Sequence, residues 1–433
     1  MSESLKVAVA GLGTVGIGTV RVLQMHAKDI NRKCGRPIEI TAVSALDKDK
    51  DRGVKIDHLQ WFDDAVEMAN SADAEVVVEL IGGASGIALD VTNAAIAAGR
   101  HVVTANKALI AEQGNALAHA AEDAGLVLAY EAAVAGGIPV VKALREGLAG
   151  DKISRVIGIL NGTCNYILST MENTGRDFDQ VLREAQDLGY AESDPSFDVD
   201  GIDSAHKLAI LASLAFGTRL GFDQVHVEGI RDINPLDFLY AKELGYRIKL
   251  LGLAGKSQSG VYQRVYPCLI DQEGPLAAVD GSFNAVIAES DFVGRSVYEG
   301  RGAGPGPTAT AVVADLIDIA TNRLLPTFGI PAQQLTKLCP ININEYSGSF
   351  YVRLTVNDQP GVFADISAAF GQAGISMESI LQRDHDSVGN VHIVIITHSI
   401  AGSDLLEALQ RLKDHDAVRQ PPNVIRIEDV WGE

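Results

Sequence analysis

Six carboxylates, Asp187, Glu192, Asp194, Asp198, Asp200 and Asp203, fall in one stretch of the chain, and no basic side chain follows until Lys207. A cluster this dense either binds a cation or organises a polar site. Aligning Asp198-x-Asp200-Gly201 on an EF-hand loop puts Ser196 at the first position and Lys207 at the twelfth, where a bidentate Glu is required, so a calcium loop is excluded. If the chain is helical from Gly201 onward, Asp203 and Lys207 lie four residues apart on one face. One reading is a surface ion pair contributing about 0.2–0.5 kcal/mol. The other is a lysine fixed by its partner as proton donor to a carbonyl, with Glu192 and Asp198 holding a cationic amine on the substrate. A second lysine, in Thr104-Ala-Asn-Lys107, follows the fourth predicted strand of the N-terminal region. That is the carboxyl edge where doubly wound sheets place ligands, although plain surface lysines are common there too.

A separate motif points to a dinucleotide. In Val7-Ala-Val-Ala-Gly11-Leu12-Gly13-Thr14-Val15-Gly16, Gly-x-Gly-x-x-Gly stands between a predicted strand and a predicted helix. Gly11 permits the tight turn, Gly13 lets the backbone approach a pyrophosphate, and Gly16 allows close helix–sheet packing, with the helix N-terminus offering N–H groups to the anion. The acid that holds a ribose is expected about 20 residues on, yet Asp47 lies 31 beyond Gly16, which an insertion around 28–37 would explain. Lys48, Lys50 and Arg52 are near enough to meet a 2′-phosphate or to be solvated surface charge, so NAD and NADP both stay open.

These residues need a scaffold. Residues 5–130 alternate short β-branched runs (5–10, 38–43, 75–80, 101–104, 126–130) with Ala-rich helical stretches, the rhythm of a Rossmann-like, doubly wound parallel sheet covered on both faces. From about 140 to 320 the pattern is mixed, with helices predicted near 139–148, 164–173, 177–188 and 201–216, and strands near 261–270 and 283–289. This predicts an α+β catalytic and dimerisation domain over 136–320, after a dinucleotide domain over 1–135. The helix 308–320, opened by Gly300-Arg-Gly-Ala-Gly-Pro-Gly-Pro307, is expected to pack back onto the first domain. Residues 321–345, with Pro326, Pro331 and Pro340, read as a linker, and 346–433 as a ferredoxin-like βαββαβ unit.

Composition agrees with several folded cores. The 433 residues are about three times a typical domain, 47% are hydrophobic and 21% charged, and mean hydropathy is +0.12. A net charge of −20 with no separate basic patch argues against nucleic acid. No apolar run approaches the ~18–20 residues of a membrane span and no signal segment opens the chain, so a soluble, cytoplasmic protein is expected. Cys34, Cys164, Cys268 and Cys339 are far apart and read as buried free thiols, and the ten histidines form no metal motif.

Gly11-Leu-Gly-Thr-Val-Gly16, Thr104-Ala-Asn-Lys107, Asn161-Gly-Thr-Cys-Asn-Tyr166, Gly189-Tyr-Ala-Glu-Ser-Asp-Pro195 and Asp200-Gly-Ile-Asp203-Ser-Ala-His-Lys207 together resemble homoserine dehydrogenase, over the whole chain. The C-terminal unit, with Asn357-Asp-Gln-Pro-Gly-Val-Phe363, looks like an ACT domain, an amino-acid-sensing module. The resemblance implies reversible NAD(P)-dependent reduction of L-aspartate 4-semialdehyde to L-homoserine, on the way to threonine, methionine and isoleucine. It implies Lys207 as proton donor, Asp203 as its orienting partner, Lys107 between nicotinamide and substrate, and Glu192 and Asp198 on the substrate amine. Gly162, Thr163 and Tyr190 would line the substrate pocket, and Gly304 would approach the cofactor beside Gly11 to Gly16. It further implies a monovalent cation, usually sodium, bound mostly by backbone carbonyls at Glu131, Val134, Gly136 and Ile138. Many relatives carry an arginine where this chain reads Ser44-Ala-Leu46-Asp47. Lysine at 48 or 50 is a poorer phosphate clamp than a guanidinium, which leaves dual cofactor use open. Feedback by threonine at the C-terminal unit and a homodimer or homotetramer are expected. The competing readings are a nucleotide- and amino-acid-binding sensor without catalysis, or a dehydrogenase of another small amino or hydroxy acid.

Overall fold

The computed structural model describes residues 3–382, 389–413 and 415–431. Its first layer holds β1 (Leu5–Ala10), α1 (Thr14–Met25), α2 (Ala27–Cys34), β2 (Ile38–Ser44), β3 (Gln60–Phe62), α3 (Ala65–Ser71), β4 (Val76–Glu79), α4 (Ile87–Ala97), β5 (His101–Thr104), α5 (Lys107–Asp123) and β6 (Leu128–Ala129). The strands pair in parallel in the order β3-β2-β1-β4-β5-β6, the Rossmann arrangement. Their buried apolar side chains alternate between two cores: Val7, Val9, Val76 and Val78 face one, and Ala8, Val77 and Val102 the other. The extra helix α2 accounts for the long interval between Gly16 and Asp47. The short β3 has too few residues to announce itself in the sequence.

The second region contains α6 (Val140–Lys142), which widens into a π-helical turn over Ala143–Gly147, then β7 (Ile153–Ile159), α7 (Gly162–Thr174), α8 (Phe178–Asp187), α9 (Ser196–Val199), α10 (Ile202–Phe216), β8 (His226–Val227) and α11 (Pro235–Glu243). The long strands β9 (Tyr246–Lys256) and β10 (Val261–Asp271), then β11 (Phe283–Ser290), β12 (Gly294–Arg301) and α12 (Pro305–Ala320), complete it. Helix α12 lies against α1. A Cβ on Gly18 would come within 2.4 Å of the Pro305 carbonyl oxygen, so only glycine allows that approach.

The C-terminal unit runs β13 (Ser347–Asn357), α13 (Val362–Gln372), β14 (Met377–Gln382), β15 (Asn390–Thr397), β16 (Ile400–Ala401), α14 (Gly402–Lys413) and β17 (Asn423–Ile427). Its four long strands stand in the order β17-β13-β15-β14, a ferredoxin-like sheet. It is not a separate bead. β17 pairs in parallel with β10 (Cys268 with Arg426, Leu269 with Ile427), which makes one continuous sheet path from β12 to β14. Asp237 of α11, fully buried, fastens the junction: it accepts from Tyr351 Oη (2.9 Å), Arg353 Nε (2.6 Å) and Asn423 Nδ2 (2.7 Å).

Residues 321–345 are docked on the body. The Thr327 carbonyl accepts from Tyr130 Oη (2.9 Å), and the Glu122 carboxylate accepts from the Thr327 and Ala332 backbone N–H groups (3.1 and 2.7 Å). Only Cys164 and Cys268 match the expectation of buried thiols. Cys34 is half-buried and Cys339 exposed. Among the described residues no helix is long and apolar enough to cross a membrane.

Candidate functional site

The glycine turn has the shape a pyrophosphate needs. Gly11 sits at φ +99°, and a Cβ there would lie 2.6 Å from the Leu80 carbonyl oxygen. On Gly16 it would lie 2.0 Å from the Gly11 carbonyl oxygen, whereas on Gly13 it would meet nothing within 4 Å. The first bond of α1 runs from Ile17 N–H to the Gly13 carbonyl (2.9 Å), and no side chain caps Gly13. The N–H groups of Thr14, Val15 and Gly16 therefore have no partner within the helix and lie beside the open face of Gly13. Leu12 is buried and anchors the turn. A cleft of about 720 Å³ opens here, lined by Gly11, Gly13, Asp47, Lys50 and Arg52 among others. These features fit a dinucleotide. The Asp47 carboxylate accepts from the Asp49 and Lys50 backbone N–H groups (3.0 and 3.2 Å), while Arg52 donates to the Lys50 carbonyl (2.9 Å) and lies over the Trp61 ring. Lys50 is thus the lysine at the cleft, and Lys48 is not among its walls. Gly304, at φ +116°, precedes the first turn of α12, next to α1.

From the glycine turn a buried polar path leads to the acidic cluster. Glu79, at the end of β4, accepts from the Ile81 and Gly82 N–H groups (2.7 and 3.1 Å) and from the Thr104 hydroxyl (2.6 Å). Thr104 Oγ1 in turn accepts the Asn106 N–H (2.9 Å), and Asn106 caps α5 through the Leu109 N–H (3.1 Å). Lys107 is the first residue of that helix. Opposite stands α10, entered through Gly201 at φ +85° and buried over nearly its whole surface. Four-residue spacing places Asp203 and Lys207 on the face turned to α5.

Asp203 joins the two helices. Its Oδ1 is 2.7 Å from Lys107 Nζ and its Oδ2 is 2.7 Å from Lys207 Nζ. Lys207 also donates to the Leu160 carbonyl (2.7 Å). Burial works against the Asp203 carboxylate, but the two ammonium groups hold it well below the usual carboxylate range. Burial pulls Lys207 below the ordinary lysine value despite Asp203. For Lys107, Asp203 with Asp198 and Glu192 outweighs burial and holds the ammonium above it. The two lysines thus differ: Lys107 leaves 36% of its side chain exposed, Lys207 only 9%.

The other sequence-predicted residues ring this centre. Asp198 is within electrostatic reach of Lys107, Lys207 and Asp203, its carboxyl pushed up by burial and by the Asp203 charge. Glu192 is exposed at the rim, within electrostatic reach of Lys107. Thr163 donates to the Tyr190 carbonyl (2.8 Å), the Tyr190 ring packs on Tyr166 at 4.8 Å between centroids, and Gly162 begins α7 where a Cβ would meet the Ser282 carbonyl oxygen at 2.8 Å.

Glu131, Val134, Gly136 and Ile138 form one buried turn against the glycine-rich run before α12, with Gly137 N–H on the Arg301 carbonyl (3.0 Å). The Glu131 carboxylate accepts from the Val141 and Lys142 N–H groups, and burial together with Asp315 pushes it up to about 7. Among the described residues no three His, Cys, Asp or Glu side chains group as metal ligands, so a cation here would rely on main-chain carbonyls.

Sequence reasoning missed Asn161, Glu79, Phe197 and His206. Phe197 lies 5.5 Å from the Lys107 ammonium and 5.5 Å from the His206 ring, which packs on Phe222 at 4.1 Å. The signals present were polar residues ending otherwise apolar strands (Glu79, Thr104) and an asparagine before a helix (Asn161).

Comparison with known proteins agrees with this geometry. Residues 11–131 match the family model described as homoserine dehydrogenase, NAD binding domain, residues 139–317 that of homoserine dehydrogenase, and residues 350–417 that of the ACT domain. The homoserine dehydrogenase of Neisseria gonorrhoeae is 43% identical over 434 residues, covering 99% of each chain. The chain belongs to the homoserine dehydrogenase family. The family's enzyme from Pseudomonas aeruginosa is also 43% identical, over 99% of this chain and all of the relative. The crystal structure of a homoserine dehydrogenase from Thiobacillus denitrificans superposes with a TM-score of 0.92 at 41% identity over 99% of both chains. That of the S. aureus enzyme gives 0.77 at 30% identity over 99% of this chain and 100% of that one.

Proposed function

We propose that this homoserine dehydrogenase family member interconverts L-aspartate 4-semialdehyde and L-homoserine with NAD(P). The observation that carries the reading is one buried carboxylate, Asp203, gripping an ammonium from the nucleotide fold and another from the catalytic helix at 2.7 Å each. The bound dihydronicotinamide would supply the hydride. Lys207 holds the proton for the aldehyde oxygen, and its depressed pKa suits a donor that must release it. Asp203 keeps that ammonium charged and aimed, Lys107 sits on the cofactor side, and Asp198 and Glu192 take the substrate ammonium. Gly162, Thr163 and Tyr190 wall the substrate, and Lys50 is the candidate for a 2′-phosphate, which favours at least partial NADP use. Sodium at the 131–138 turn, threonine at the C-terminal unit, and a homodimer or homotetramer formed at β12 and β14, which end the sheet among the described residues, belong to the same proposal.

The test is a spectrophotometric assay with homoserine and each cofactor. Lys207→Ala should lower kcat by at least ~100-fold, the contribution of a positioned acid, with little change in cofactor affinity. Near-normal turnover by that variant would refute the assignment.

A further inference from the structure

We propose that Asn161 is a positioning residue whose side-chain amide clamps Asp198 to Asp203, holding the amine-binding carboxylate in register with the lysine-binding one. The inference rests on the reading of Asp198 and Asp203 given above. Asn161 ends the stretch after β7, is 5% exposed and caps α7: its Oδ1 accepts the Cys164 N–H at 2.7 Å. That bond fixes which way the amide faces, because a flipped side chain would turn its oxygen toward two carboxylates. The two hydrogens on Nδ2 then point to Asp198 Oδ1 and Asp203 Oδ2, both at 2.8 Å. One amide thus ties α7, α9 and α10 together at the reacting centre.

The chemistry of the site needs such a clamp. Two carboxylates sharing a buried site repel each other, and one of them tends to take up a proton. Asp198 faces Asp203 and Lys207 of α10 and Lys107 of α5, and its carbonyl accepts from the Cys164 thiol of α7 (3.2 Å). Of these neighbours, burial and Asp203 favour its neutral form, and the Asn161 amide with the two lysines opposes them. Lys107 holds Asp203 Oδ1 and Lys207 shares Asp203 Oδ2 with the amide, so Asn161 is the uncharged group that donates to both carboxylates at once. A neutral Asp198 could not hold an alkylammonium by charge.

The test uses the full chain and two variants. Asn161→Asp keeps size and helix cap but replaces the double donor by an acceptor; Asn161→Ser keeps a capping oxygen too short to reach either carboxylate. With wild-type thermal midpoints as reference, both variants should raise KM for homoserine about 10-fold or more, the loss expected for charge-assisted hydrogen bonds. The cofactor KM should stay within about twofold. Asn161→Asp should also move the acid limb of kcat/KM for homoserine to higher pH, because a third carboxylate raises Asp198 further. Folded variants with unchanged homoserine KM and an unshifted acid limb would overturn the proposal. So would losses that affect both substrates equally and follow thermal stability alone. If the wild-type protein does not turn over homoserine with either cofactor, the functional reading itself fails, which is a distinct result.

Discussion

Asp203→Asn strikes the centre of the site. Asp203 is 2% exposed, and its two oxygens each lie 2.7 Å from an ammonium. At an effective dielectric constant of about 20, a unit-charge pair at that distance is worth about 6 kcal/mol before desolvation. Desolvation of the three groups offsets part of this, and removing one member of a buried pair typically costs ~3–5 kcal/mol because the remaining charge is left uncompensated. Asparagine preserves the shape but offers one neutral acceptor to two cations. Lys207, already pulled below the ordinary lysine value by burial, then loses the group that most opposes the shift. Its folded-state pKa falls further, so at alkaline pH less of it carries the proton that the proposed mechanism draws from it. At ~1.4 kcal/mol per decade, a loss of that size corresponds to roughly a 100- to 4000-fold fall in kcat for aldehyde reduction. The basic limb of the profile should move toward lower pH. Following reduced-cofactor absorbance from neutral to alkaline pH measures both effects. A variant that keeps more than a tenth of wild-type kcat with an unmoved basic limb would refute the reasoning.

Other outcomes follow from the same geometry. Gly13→Ala, whose Cβ meets no protein atom, should leave the thermal midpoint unchanged and raise cofactor KM, whereas Gly16→Ala, with its Cβ 2.0 Å from the Gly11 carbonyl oxygen, should destabilise the fold; equal midpoints for the two would contradict this. Glu228 is held at about 2: burial would raise it, but His226 and Arg426 outweigh burial. Its contribution to stability is therefore present above the ordinary value of 4.5 and lost as pH falls from there toward about 2. Glu228→Gln should narrow the stability difference from wild type across that interval, as read by acid titration of the unfolding midpoint; a difference independent of pH would count against it. Truncation after residue 345 strips β17 from β10 and removes Tyr351, Arg353 and Asn423 from buried Asp237. The shortened chain should unfold at clearly lower temperature, and an unchanged midpoint would show that the shared sheet is dispensable. Effector binding is accordingly better tested with point variants in the full chain.

The strands of the nucleotide fold were legible because each is a local run of Val, Ile and Ala between turn signals, and the glycine fingerprint needs only neighbours in sequence. The α10 face was legible too, since four-residue spacing makes Asp203 and Lys207 meet in any helix. Strands β7, β9 and β12 and helix α11 were not anticipated. β9 shows why: its residues 248–255 are buried on both faces, so the strand lacks the alternation that separates it from a buried helix. The insertion before β2 was inferred from spacing, but its helical form came from the structure.

Sequence alone determined what each short segment can do: a turn that only glycine permits at Gly11, a helix that pairs Asp203 with Lys207, and a C-terminal βαββαβ unit. It did not determine that Lys107 closes on the second oxygen of Asp203, that Asn161 bridges two carboxylates, or that β17 extends the catalytic sheet through β10. Those contacts join segments distant in the chain. They are chosen when whole faces of helix and sheet are buried together, and buried polar groups must then find partners wherever the packing has brought them.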